Sequence, residues 1–108
     1  EEKNGYKSDV GSNNFYLNSI MNKYAAEFLG TLFFLYVIMA TGKAIPIGLA
    51  LMAAILVLGK YSGGNFNPAV SVMMVAAGKL PAGDLLPYVV AQIAGGLVAL
   101  ELYKRVKF

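Results

Sequence analysis

The chain has 108 residues, of which 57% are hydrophobic and only 14% charged, and its mean hydropathy is +0.59. A soluble domain normally has about a quarter of its residues charged, so an ordinary soluble protein is excluded. Cysteine and histidine are both absent, which excludes disulfides and thiolate metal sites and removes the commonest general base. The net charge of +3 is scattered, unlike the clustered basic face of a nucleic-acid-binding protein. The composition predicts a single-domain integral membrane protein.

The first 22 residues are polar, rich in Asn, Ser and Gly, and lack an apolar stretch long enough for a secretory signal. We expect residues 1–22 to form an exposed tail, with enough apolar residues in SNNFYLNSIM to rest on a membrane interface or a partner. The chain begins with Glu1 rather than Met, which suggests missing or processed residues. Residues 23–108 are expected to form the membrane domain.

Three apolar segments are predicted to span the membrane as helices, at residues 24–42, 44–59 and 85–103. The first contains a single charge, Glu27, and at 1.5 Å per residue it reaches about 28 Å, close to the roughly 30 Å of a hydrocarbon core. The second is short for a span, so we expect Lys43 and Lys60 to extend to the two membrane surfaces.

A fourth apolar segment, residues 61–78, contains YSGGNFNPAVS, whose glycines, asparagines and proline would break a membrane-spanning helix. Asn67 is a preferred N-cap and Pro68 suits the first helical position, so the pattern predicts a helix from there to about Gly78. Its roughly ten residues cover about 15 Å, half a bilayer, and the chain is then expected to return to the surface it entered from. Non-helical backbone at this depth must pack against protein or line a water-filled cavity.

The predicted fold is therefore an all-α membrane protein with three transmembrane helices and one re-entrant half-helix. Four of its elements, in matching order and spacing, resemble those of the major intrinsic protein family, the aquaporins and glycerol facilitators. These elements are AEFLGT at residues 26–31, Gly48 in the second span, NPA at residues 67–69 and AQIAGG at residues 91–96. The resemblance covers about residues 24–105 and implies a passive channel for water or small uncharged solutes.

Family members carry two such halves as an inverted repeat, whereas this sequence contains one. If a second copy supplies the other half, the two copies must insert in opposite orientations. Orientation follows Lys/Arg asymmetry, and here the two sides are nearly balanced, with Lys3, Lys7, Lys23, Lys60 and Lys79 against Lys43, Lys104, Arg105 and Lys107. The balance favours an inverted homodimer. The alternative is that such counts are noise and that another polypeptide or a longer precursor supplies the second half.

The resemblance also implies which residues line the pore. As N-cap, Asn67 would accept a backbone N–H and direct its amide NH₂ towards a passing water or hydroxyl group. The half-helix dipole places partial positive charge at the same point, which discourages cations and interrupts proton conduction. The expected pore-lining residues are Gly63, Gly64 and Asn65, through their backbone carbonyls, and Asn67, Pro68, Ala69, Ile47 and Val70. Glycine would keep the lumen open there. The alternative is an N-capped surface helix with no pore.

Glu27 is costly in hydrocarbon and therefore marks a functional or structural site. The resemblance implies that it accepts backbone N–H groups of the re-entrant loop, with Gln92 as its counterpart on the third span. Gly95 and Gly96 would allow the helices to approach closely. We favour this supporting role for both polar residues over direct contact with solute.

Three positions depart from the family pattern in ways that concern selectivity. Val70 stands where an arginine follows one of the two NPA triplets, Ile47 where an aromatic residue is often found, and Asn65 where histidine is common. An inverted homodimer would have two Asn67 side chains at its centre and no filter arginine. We therefore expect weaker discrimination between water and small neutral solutes.

The leading interpretation is a channel subunit in a lipid bilayer that needs no cofactor, metal or catalytic group. Its pore would be completed by an inverted copy or another half-channel chain. The alternative is a non-conducting structural subunit of a larger assembly, such as a virion or organelle membrane complex. The long tail and the missing filter arginine favour that alternative, whereas the intact NPA loop favours conduction. Without His, Cys or a paired carboxylate in a polar cleft, an enzyme is not expected.

Overall fold

A computed structural model of the chain describes residues 22–106, so nearly all of the predicted N-terminal tail lies outside the described part. These residues form α1 (Lys23–Thr41), α2 (Ala44–Ser62), α3 (Pro68–Ala76), a 3₁₀ turn (Ala82–Asp84) and α4 (Leu85–Arg105). Three of the helices are long and apolar enough to cross a membrane, and residues 22–106 contain no strand. The predicted fold class, three spans and a half-helix, is confirmed.

Two helices run further than the sequence pattern indicates. Helix α2 continues beyond residue 59 to Ser62, which gives it 19 residues, enough to cross the membrane. It ends where Gly63 adopts a left-handed φ of 89° and donates its backbone N–H to the carbonyl of Gly59. Helix α4 continues to Arg105, whereas α3 ends at Ala76.

The turn between α1 and α2 is tight, so these two spans are antiparallel neighbours. Asn22 caps the start of α1 by accepting the backbone N–H of Ala25 at 2.8 Å. Gly42, with φ of 62°, ends the helix by donating its N–H to the carbonyl of Ile38. Only Lys43 then precedes α2.

Helix α1 lies between α2 and α4 and packs against both, while α3 packs against α4. Small residues dominate the buried positions, including Ala26, Ala50, Ala54 and Ala99. This is the expected solution in lipid, where helices associate by close packing rather than by the hydrophobic effect.

Helices α1 and α4 begin on the same membrane surface, which we call the entry surface. There the Lys23 ammonium lies 2.6 Å from one carboxylate oxygen of Asp84, and the Tyr24 hydroxyl donates to the other at 2.7 Å. The Tyr24 ring also meets the Tyr88 ring edge to face, with centroids 5.9 Å apart. By the order of the helices, Lys60 and the return turn after α3 share this surface, and the ends of α1 and α4 lie at the opposite surface.

Candidate functional site

The re-entrant loop between α2 and α3 turns sharply because several of its residues have positive φ. The values are 89° at Gly63, 69° at Gly64 and 54° at Phe66. Glycine adopts this conformation freely, but for Phe66 it is strained. The Phe66 ring is 2% exposed and fills the space beside Gly30, where a Cβ would lie only 2.1 Å from the ring. Burial of the ring therefore holds the strained residue in place.

Glu27 is fully buried in α1 and binds the loop through both carboxylate oxygens. Its Oε2 accepts the Ser62 hydroxyl at 2.8 Å and the backbone N–H of Asn65 at 3.0 Å. Its Oε1 accepts the backbone N–H of Phe66 at 2.7 Å and the Gln92 side-chain amide at 2.8 Å. Four donors thus surround the carboxylate, and two of them are the loop N–H groups that the family resemblance implies.

A second set of hydrogen bonds ties the half-helix and the end of α2 to α4. The buried Ser71 hydroxyl of α3 accepts the side-chain amides of Asn65 at 2.8 Å and Gln92 at 2.9 Å. The Tyr88 hydroxyl donates to the backbone carbonyl of Ser62 at 2.7 Å. Sequence reasoning missed these partners. The sequence offers one indication of these roles: Ser62 and Ser71 are hydroxyl residues on either side of the loop, in segments that are otherwise apolar.

The NPA triplet begins the half-helix at mid-membrane. The Asn67 Oδ1 atom accepts the backbone N–H of Ala69 at 2.8 Å, so Asn67 is the N-cap and Pro68 the first helical residue. All three residues of the triplet are exposed in the single chain. The Asn67 amide NH₂ has no hydrogen-bond partner among residues 22–106, and it remains available as a donor.

The backbone carbonyls of Gly63, Gly64 and Asn65 accept no hydrogen bond from any residue in the described range. The Asn65 side chain is turned inwards to Ser71, so only its carbonyl could face a lumen. At Gly64 a Cβ would lie 3.3 Å from a side-chain atom of Ile55 on α2. Positive φ and the closeness of α2 are thus sufficient by themselves to favour glycine at this position.

A cavity of about 610 Å³ lies between α1 and α4, just beyond the N-terminal end of α3. Of the predicted pore-lining residues, Asn67 and Pro68 line it, and the two predicted supporting residues Gln92 and Gly96 line it as well. Thr31 also lines it, and the Thr31 Oγ1 and Gln92 Oε1 atoms are buried without a hydrogen-bond partner in residues 22–106.

The remaining predicted site residues are not brought together at this cavity. Ile47 lies in the first turn of α2 near the opposite surface and is half-buried, as is Val70 on α3. Gly95 instead packs against α1, where a Cβ would lie 2.7 Å from the Phe28 carbonyl oxygen. Across residues 22–106 no three His, Cys, Asp or Glu side chains group as possible metal ligands.

Three apolar spans around an Asn-capped half-helix, whose loop is bound by a buried carboxylate, define an integral multi-pass membrane protein with a re-entrant loop. Residues 14–107 match the family described as Major intrinsic protein, and the chain belongs to that family. No solved structure matches the chain significantly.

Curated relatives include two bacterial proteins named Aquaporin Z. The one from Bradyrhizobium diazoefficiens is 39% identical over 76% of this chain and 40% of its own length. The one from Brucella melitensis is 39% identical over 77% of this chain and 43% of its own length. Glycerol uptake facilitator protein-like 6 of Lactiplantibacillus plantarum is 43% identical over 78% of this chain and 43% of its own length. The chain thus spans less than half the length of these relatives.

Proposed function

We propose that the chain is a subunit of a passive membrane channel for water or small uncharged solutes, and that an inverted second copy completes the pore. The observation that carries this proposal is the exposed Asn67 amide at the N-terminal end of a half-helix. A free donor and the positive end of a helix dipole at mid-membrane suit a neutral hydrogen-bonding solute and disfavour a cation.

The loop before Asn67 supports the same proposal. Three successive carbonyls, those of Gly63, Gly64 and Asn65, are unpaired in the described part of the chain. Unpaired backbone carbonyls are unfavourable in lipid and favourable along a water-filled path, where a solute can donate to them. A solute that moves inwards would first donate hydrogen bonds to these carbonyls and would then accept one from the Asn67 amide.

An inverted copy is supported by the distribution of cations over the two surfaces. Within residues 22–106, Lys23, Lys60 and Lys79 lie on the entry surface, and Lys43, Lys104 and Arg105 lie on the opposite one. This balance, like the count of five against four over the whole sequence, favours neither orientation clearly by the positive-inside rule. The matched part covers only 40–43% of the relatives named above, so a second half from a longer precursor or another chain is the competing source.

Osmotic shrinkage of reconstituted vesicles tests conduction. We expect the natural sequence to increase water flux, and Asn67→Asp and Ala69→Trp to return it towards that of empty vesicles. The first change replaces the amide donors by a charge, and the second fills the path. Ala40→Trp, at an exposed position near the end of α1, is the matched control and should conduct normally.

A natural sequence that behaves like empty vesicles would contradict the channel proposal and favour the non-conducting structural subunit. The same assay with glycerol as the osmolyte tests selectivity. Because Val70 provides no filter arginine, we expect glycerol to enter as well as water. Rapid water flux with complete exclusion of glycerol would contradict this expectation.

A further inference from the structure

The first carbonyl of the re-entrant loop differs from the three that follow it. The Ser62 carbonyl accepts the Tyr88 hydroxyl at 2.7 Å, whereas those of Gly63, Gly64 and Asn65 accept no hydrogen bond within residues 22–106. Tyr88 therefore marks the point along the chain after which carbonyls become available to a solute. Its hydroxyl holds the Ser62 carbonyl on the side of α4, and this fixes the direction in which the following peptide groups start.

Tyr88 is itself held by side chains at the entry surface. It is 1% exposed, and its ring meets the Tyr24 ring edge to face, which is a preferred arrangement of two aromatic rings. The Tyr24 hydroxyl and the Lys23 ammonium both bind the Asp84 carboxylate, as described above. Lys23, Asp84, Tyr24 and Tyr88 thus form a continuous path from the membrane surface to the loop, which we call the tyrosine strut.

The tyrosine strut and Glu27 hold different parts of the loop. Glu27 accepts the Ser62 hydroxyl and the backbone N–H groups of Asn65 and Phe66, which lie further along the chain. In residues 22–106 no group other than Tyr88 donates to the Ser62 carbonyl. The orientation of that carbonyl therefore depends on the strut, whose members belong to α1, to the 3₁₀ turn and to α4.

We propose that Tyr88 is a positioning residue for the pore, and that through the tyrosine strut the ion pair at the entry surface sets the orientation of the loop carbonyls that a solute meets first. The inference rests on the proposed function and deepens it, because it gives residues outside the pore a part in selectivity. A buried carbonyl that loses its donor is unfavourable. Without the Tyr88 hydroxyl, the Ser62 carbonyl should therefore turn towards the water-filled path and add one acceptor at its entrance.

Tyr88→Phe tests the hydroxyl and keeps the ring. The readout is the ratio of glycerol to water permeability in the same vesicles, because a loss of folded channels lowers both fluxes equally and leaves the ratio unchanged. We expect the ratio to rise roughly threefold, the order of effect of one hydrogen bond, since glycerol has more hydroxyl donors for the added acceptor. Tyr61→Phe is the matched control, because Tyr61 precedes Ser62 and its hydroxyl makes no hydrogen bond in residues 22–106.

Asp84→Asn tests whether the surface ion pair acts through Tyr88. Alone, this change should raise the same ratio roughly twofold, because Tyr24 and Lys23 lose the charge that holds them and the Tyr88 ring loses its support. In the Tyr88→Phe background it should add nothing, since the strut no longer reaches the loop. Full additivity of the two changes would show that they act independently.

A nuclear magnetic resonance label at the Ser62 carbonyl tests the strut without any flux. Ser62–Gly63 is the one serine–glycine pair in the sequence, so carbonyl ¹³C in serine and ¹⁵N in glycine together select a single peptide group. We expect its carbonyl signal to shift in Tyr88→Phe, to shift in the same direction but less in Asp84→Asn, and to stay in place in Tyr61→Phe.

An unchanged carbonyl signal in both Tyr88→Phe and Asp84→Asn would overturn the strut. Shifted signals with an unchanged glycerol-to-water ratio would overturn the part assigned to Tyr88 in selectivity. A natural sequence without water flux would contradict the proposed function, and the carbonyl signals would then still show whether the surface ion pair orients the loop.

Discussion

At the scale of single residues, Glu27 shows how a carboxylate is accommodated inside a membrane bundle. It is fully buried, yet four donors reach its two oxygens at 2.7–3.0 Å. Hydrogen bonds to a charged acceptor are about twice as strong as those between neutral groups, and their number offsets part of the desolvation cost. The same four bonds fix the loop, so the charge and the loop shape depend on each other.

Glu27→Gln should therefore destabilise the fold. The amide would turn its NH₂ group towards at least one of the N–H donors and leave buried groups unpaired. We expect a loss of about 3 kcal/mol in the free energy of unfolding, measured by reversible denaturation in mixed detergent micelles. Glu101→Gln is the matched control, because Glu101 has a 53% exposed side chain at the end of α4 and pairs only with Lys104 and Arg105 in the described range. Equal stability of the two variants would contradict the anchoring role.

At the scale of elements, the contact between α1 and α4 depends on a missing side chain. A Cβ at Gly95 would lie 2.7 Å from the Phe28 carbonyl oxygen and 3.1 Å from the Leu32 nitrogen. Backbone atoms cannot move aside as a flexible side chain can, so any larger residue must push the helices apart. Gly96 differs, because its nearest neighbour is a Leu35 side-chain methyl group at 2.9 Å.

Gly95→Ala and Gly48→Ala should change stability in opposite directions. Overpacking at Gly95 should cost about 1–3 kcal/mol in the free energy of unfolding. A Cβ added at Gly48 in α2 would meet no atom within 4 Å, so alanine there should stabilise by about 0.5–1 kcal/mol through helix propensity. The same denaturation assay measures both variants. A Gly95→Ala variant with an unchanged free energy of unfolding would show that the two helices can separate at little cost.

The start of α1 is tied to the start of α4 by one carboxylate. Asp84 accepts hydrogen bonds from both Lys23 and Tyr24 at the entry surface. Asp84→Asn removes the charge that holds them, so we expect faster amide hydrogen exchange in the first turn of α1. Exchange in the last turn of α1, at the opposite surface, is the internal control and should not change. Uniformly faster exchange along α1 would instead indicate general loss of packing.

The elements were predictable from sequence to a greater extent than their contacts. Hydropathy gives the spans, and an N-cap followed by proline gives the start of α3, because these are local preferences. The sequence pattern predicts the end of α2 too early, at residue 59, because Gly59 and Lys60 resemble a local stop signal, whereas the cap lies at Gly63. The roles of Ser62, Ser71 and Tyr88 depend on which side chains the fold brings together. A local sequence pattern does not predict such contacts between distant segments.

At the scale of the whole molecule, the two surfaces carry equal numbers of cations in the described range. The count of cations therefore gives the chain no clear preference for either orientation. A small change in the count should be enough to decide it, since orientation follows the difference between the two sides.

The double variant Lys60→Ala and Lys79→Ala should shift insertion towards one orientation. Over the whole sequence it changes the count of cations from five against four to three against four, so the opposite surface should face the cytoplasm more often than in the natural sequence. Accessibility of a cysteine introduced at position 43, probed from each side of the membrane, measures the ratio. Glu101→Gln, which changes an acidic residue only, should leave the mixture as it is. A natural sequence that already inserts in one orientation would contradict mixed insertion.

The Glu27 network has a consequence for assembly. Among the described residues, the hydrogen bonds that shape the re-entrant loop run within one chain, through Glu27, Ser62, Ser71 and Tyr88. The loop therefore loses its conformational entropy when the single chain folds, and ordering it adds no cost when a partner binds. Under the proposed function, an inverted copy would meet a loop that is already held in shape, and association between preformed surfaces needs little rearrangement. The affinity of the two copies would then depend on how well their surfaces fit each other.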